Sequence, residues 1–194
     1  MKLKVLFFVV LTTQLSLSQD ADKNLPYYEI PEYPDSYTAG TTVARMIDGL
    51  GFRYYWATEG LRDEDLAFKP SEEGRTTGET VDHLYGLTKV ILNAALKQPN
   101  VAADEEAMSF ADKRSKTLKM LKQAADIFRE ATDLTEYNLV FSGDNGTNEF
   151  PFWNMINGPI ADALWHCGQV VTHRRTSGNP FNSKASVFTG KVRN

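Results

Sequence analysis

The sequence predicts an all-α fold: a four-helix bundle with a long loop between its third and fourth helices. Two observations predict it. Four segments repeat apolar residues at spacings of three and four, the period of a helix that buries one face. No segment sustains the apolar–polar alternation of a half-buried strand, so no sheet is required. Composition places these segments in one ordinary globular domain, with 42% of 194 residues hydrophobic and 24% charged. The 25 acidic residues outnumber the 21 basic ones, net charge is −4, and no basic run exceeds two residues. That balance argues against nucleic acid as a general partner. A single cysteine, Cys167, excludes an intrachain disulfide framework and a multi-cysteine metal knuckle.

Residues 1–18 read as a secretory signal peptide. Lys2 and Lys4 precede the apolar run Val5–Leu11, and Ser16 and Ser18 are the small residues before the cleavage point. A membrane span needs about 20 apolar residues, so stable membrane insertion is not expected. No cysteine sits at the cleavage point to carry a lipid anchor. Cleavage after Ser18 leaves 176 residues with a net charge of −6 in an extracytoplasmic location, periplasmic or secreted. With one thiol and no disulfide, the domain must hold together by core packing. Residues 19–37, with Pro26, Pro31 and Pro34, read as an extended arm lying on the domain.

The bundle is expected over 38–180. Its first helix runs from about Thr38 to Gly60 on Val43, Ile47, Leu50, Tyr54 and Ala57. A turn-rich connector closes with Pro70 and Gly74. The second helix starts at Thr76, where Thr76 and Glu79 have capping-box spacing, and runs to Leu96 before Pro99. The third spans about Ser109 to Thr132, with Leu118, Leu121, Ala125 and Phe128 inward and four lysines outward. A loop of about 20 residues follows, rich in Gly and Asn; loops that long often serve as lids. The fourth helix is expected from Pro159 and ends at Arg174-Arg175 before Gly178 and Pro180. Residues 181–194 form a C-terminal tail. Trp153 and Trp165 are read as core or pocket wall, and Asn145-Gly146-Thr147 matches a glycosylation sequon, of consequence only in a eukaryotic secretory route.

Any histidine chemistry must use His83, His166 or His173. Asp162 and His166 lie four residues apart on one helix face, a spacing that two ligands of one metal use. His83, on the second helix, is the candidate third ligand. Two imidazoles and a carboxylate with open positions suit zinc, nickel or iron. The same residues have plain structural readings: a helical histidine packs in many cores, and Asp162 near a helix start complements the helix dipole. His173, beside two arginines in the last turn, is read as a dipole partner at the helix C-terminus. Cys167 sits about 100° around the helix from His166 and reads as a buried structural thiol, with a thiolate nucleophile as the alternative. Glu79 is a candidate base, but its capping-box position already gives it a structural task.

The segments VARMIDGLGFRYYWATEGL, LRDEDLAFKP, TTGETVDHL and DALWHCGQVVTHRRTSGNP resemble the DinB/YfiT-like superfamily of four-helix bundles over about residues 40–180. That resemblance implies a divalent metal held by one second-helix histidine and two fourth-helix ligands. They fall on His83, on His166 before Gly168-Gln169, and on Asp162, where the family pattern has histidine. The departure at Asp162 implies either a preference for harder ions or a weakened site. His173 matches no ligand position.

The function expected is that of a secreted, metal-dependent hydrolase of an unidentified small molecule. One alternative is a non-catalytic extracytoplasmic binding or structural bundle with a vestigial metal site. A thiol-dependent S-transferase is a further alternative, disfavoured because its thiol cofactors are cytosolic. Helix faces leave room for a homodimer in each case.

Overall fold

The computed structural model describes residues 24–102 and 106–194. The signal peptide expected over 1–18 lies outside the described residues. Helix α1 (Ala39–Thr58) begins at Thr38, whose hydroxyl accepts from the Thr41 amide while the Thr41 hydroxyl accepts from the Thr38 amide. A short helix α2 (Asp63–Ala67) follows. Helix α3 (Thr77–Ala95) carries the expected capping box: Glu79 Oε2 accepts from the Thr76 amide at 2.7 Å and Thr76 Oγ1 from the Glu79 amide at 3.0 Å. Helix α4 (Phe110–Glu130) is capped by Ser109.

The chain is not the all-α bundle that periodicity predicts. It is mixed α/β, because two small sheets stand beside the helices. Strand β1 (Asn100–Val101) pairs in parallel with β2 (Leu139–Gly143), which pairs antiparallel with β3 (Gly146–Phe150). The segment expected to be a long loop is therefore a hairpin. Period-2 patterning is absent for a physical reason: only Leu139 of β2 is buried, and β3 is exposed throughout. The legible signal was its turn, Asp144-Asn145-Gly146, where Gly146 takes φ 108°, a torsion open to glycine. Ser142 and Thr147 hydroxyls bond across the strands at 3.0 Å. The second sheet pairs β4 (Ala185–Ser186) with β5 (Lys191–Val192), and two-residue strands carry no period.

The last helical rod starts earlier than Pro159. It opens with α5 (Trp153–Met155), widens into a π-helical turn (Ile156–Ile160) and continues as α6 (Ala161–Thr176). Pro159 has no N–H to close an α-helical bond. The wider turn accommodates it, and the Ala161 amide reaches back to the Ile156 carbonyl. Trp153 and Trp165 are neither core nor enclosed: they are 74% and 73% exposed.

The core gathers around α1, which packs on α4 and α6 through Val43, Ile47, Leu50, Tyr54 and Ala57. The arm enters this core: Tyr27 and Ile30 are buried, and Tyr27 donates its hydroxyl to the buried Asp48 at 3.2 Å. The Ile30 amide bonds to Gly190, so arm and C-terminal hairpin hold each other. Gly40 is where α1 meets the end of α4. A Cβ there would stand 2.1 Å from the Ala131 carbonyl oxygen and 2.3 Å from that of Phe128. Backbone cannot move aside as a flexible side chain can. Gly40→Ala is therefore expected to cost about 1–3 kcal/mol. A urea midpoint unchanged from the parent would contradict that close approach.

Candidate metal centre

His83 lies two turns into α3, past the Thr76 cap. Asp162 lies in the first turn of α6, directly after the π-helical turn, and His166 follows one turn later. The packing of α3 against α6 brings residues 79 positions apart into contact. His83 Nε2 lies 3.0 Å from Asp162 Oδ2, and His166 Nε2 lies 3.3 Å from Asp162 Oδ1. The two imidazoles meet edge to face, with centroids 4.6 Å apart. One ligand atom from each residue lies within 4.8 Å of the other two, so His83, Asp162 and His166 form a group that could hold a metal ion. All three are half-buried, with the cluster open to solvent on one side.

The donor set fits a divalent cation. Two imidazole nitrogens and a carboxylate oxygen are donors that zinc, nickel and iron accept, and they lie within 4.8 Å of one another. The sequence reading assigned Gln169 no role, although the Gly-Gln pair was visible in the motif. In the structure the Nδ1–H of His166 donates to Gln169 Oε1 at 2.7 Å. An amide oxygen has no hydrogen to give, so this bond puts the ring proton on Nδ1. A hydrogen bond at the far nitrogen is the usual support of a ligating histidine.

The other candidates separate from this cluster. The Glu79 carboxylate is committed to the α3 N-terminus, and the bond from the Thr76 amide lowers its pKa. Cys167 is buried, and burial pushes its thiol up to about 12, so it is a neutral packing group. The hairpin base is tied through Asn100 to Asn93, ten residues and about 15 Å along α3 from His83, and no hairpin residue enters the cluster.

His173 is in the last turn of α6 as expected, but not as a charged dipole partner. It is buried against the Phe68 ring, with Nδ1 3.2 Å from the Thr77 hydroxyl. Desolvation lowers its pKa below 6.5, so the folded chain keeps it neutral at pH 7. Because the folded state binds this proton less readily, stability falls as pH drops through 6.5 and below, and nothing is lost above. His173→Gln should flatten the part of the stability-versus-pH curve between about pH 7 and 5 that this group supplies. Urea titrations at several pH values read this, and an unchanged slope would contradict it.

No family model, curated protein or solved structure matches the chain.

Proposed function

We propose that the chain is a secreted DinB-like protein that holds one divalent metal at His83, Asp162 and His166 and uses it to hydrolyse a small molecule. One observation carries the reading: two imidazoles and a carboxylate from helices distant in sequence converge within 4.8 Å. The metal-dependent activity and the family assignment rest on the sequence resemblance. Three protein ligands leave coordination positions for water and substrate, as catalytic sites require. When bound there, a zinc, nickel or iron ion supplies the Lewis acidity that makes water a nucleophile near neutral pH. The chain's own part is to position that chemistry. Gln169 fixes the tautomer of His166, and Asp162 sets the two imidazoles on either side of one carboxylate.

A second reading has its own support. The Asp162 carboxylate already meets both histidines, so the cluster holds its shape through its own polar contacts, as a vestigial site in a non-catalytic binding protein would. Elemental analysis of protein purified without chelator separates the two. The metal reading expects close to one zinc, nickel or iron per chain, and a melting temperature that falls on chelation. Metal below about a tenth per chain that does not rise on incubation with these ions would overturn it.

A further inference from the structure

The opposite side of α6 carries a second feature. Leu164, Cys167, Val171 and Arg175 recur at spacings of three and four, on the face turned away from Asp162 and His166. Together with Arg53 of α1 and with Phe181 and Val187 of the C-terminal segment, they line an open cavity of about 360 Å³. That size lies at the lower end of the range for small-molecule sites, and such sites are apolar with few polar groups. The cavity's charged side chains are the two cations Arg53 and Arg175, and the Thr172 hydroxyl is bonded to the Gly168 carbonyl. Among the described residues, the Arg53 guanidinium donates only within its own helix, to the Gly49 carbonyl at 2.9 Å. Arg175 is exposed, and its side chain makes no hydrogen bond or ion pair among the described residues. No carboxylate lines the cavity among the described residues. Three guanidiniums elsewhere do meet carboxylates, in Arg62–Asp65, Arg114–Glu59 and Arg129–Asp48.

We propose that this cavity binds an amphipathic organic anion, a carboxylate carrying a short apolar tail. The carboxylate lies against Arg53 and Arg175, whose planar guanidiniums match it in charge and geometry. The tail lies on Leu164, Val171, Phe181 and Val187. Buried Cys167 contributes to the apolar floor. The site is independent of the metal centre, and its test needs no metal.

Calorimetric titration of the full chain with octanoate, 1-octanol and inorganic phosphate tests it. Octanoate should bind saturably at one site, about tenfold tighter than 1-octanol, the difference that one charge-assisted contact supplies. Phosphate should bind weakly, having no tail. Changing both Arg53 and Arg175 to Gln should remove the preference for octanoate while thermal unfolding stays near the parent. Val187→Trp, which fills the open rim, should weaken both tailed ligands. Equal binding of octanol and octanoate, phosphate binding as tight as octanoate, or octanoate binding unchanged in the double variant would each overturn the proposal.

Discussion

Replacing His166 by alanine is expected to weaken zinc binding by more than about 100-fold, since even losing a supporting group behind a ligand costs 10–100-fold. His166 is the best shielded of the three, its side chain 13% exposed, and its ring is held by Gln169 as well as by its contact with Asp162. Asp162→Ala should act similarly, because it removes the group common to both imidazole contacts. Gln169→Leu should cost less, within the 10–100-fold range, because the ligand remains but its ring proton and orientation are released. Competition against a chromophoric chelator reads all three, with circular dichroism to show that the variants fold. Parent-like affinity in His166→Ala and Asp162→Ala would place the metal elsewhere. Asp162→His places a histidine where the DinB/YfiT-like pattern that the sequence resembles has one; retained binding there would mean that the position needs a donor rather than a carboxylate.

Replacing Arg174 by alanine should have the largest effect on stability, about 3–5 kcal/mol, as expected when a buried hydrogen-bonded charge is removed from its partners. For a chain of this size that is a fall in Tm of roughly 10 °C. The reason is position. The last carbonyls of α1 have no helical partners. Arg174, buried in the last turns of α6, donates to those of Trp56 and Ala57 at 3.0 Å. It also donates to the backbone and side-chain oxygens of Asn179. Asn179 in turn donates to the Gly60 carbonyl and to the buried Asp65, which also receives Arg62 and the Ser177 hydroxyl. One network thus joins the ends of α1 and α6 to α2. Burial alone would raise the Asp65 carboxyl, but the bonds from Arg62, Ser177 and Asn179 outweigh it and hold it well below the usual carboxylate range. Its contribution is therefore present above about pH 4 and lost as pH falls further. Arg174→Lys should recover little, because one ammonium cannot reach carbonyls on both sides. A loss below about 1 kcal/mol on Arg174→Ala would show that water replaces the guanidinium freely.

How much of this was legible depended on the range of the signal. The capping box at Thr76 and Glu79 involves residues three apart, and it formed as read. The stop at Arg174-Arg175 and Gly178 also worked locally, since α6 ends at Thr176. Arg174, by contrast, looked like a helix-end charge and is a buried clamp, because its partners on α1 lie 117 and 118 residues away. His173 misled in the same way: Phe68 and Thr77 are far from it in sequence. The hairpin escaped because burial, not strand geometry, creates alternation, and β3 buries nothing.

The metal cluster divides along the same line. Sequence alone determined that Asp162 and His166 share a face, since four residues make about one helical turn. It also determined the residue types that offer ligand atoms. Only the tertiary structure decided that His83 joins them, because that requires α3 to pack on α6 with His83 level with Asp162. The bond between His166 and Gln169 is local too, since three residues along a helix also share a face. Only the tertiary structure set Arg53 and Arg175, without acidic partners among the described residues, around one cavity. Helix periodicity is written every few residues, whereas which faces meet follows from packing the whole core at once.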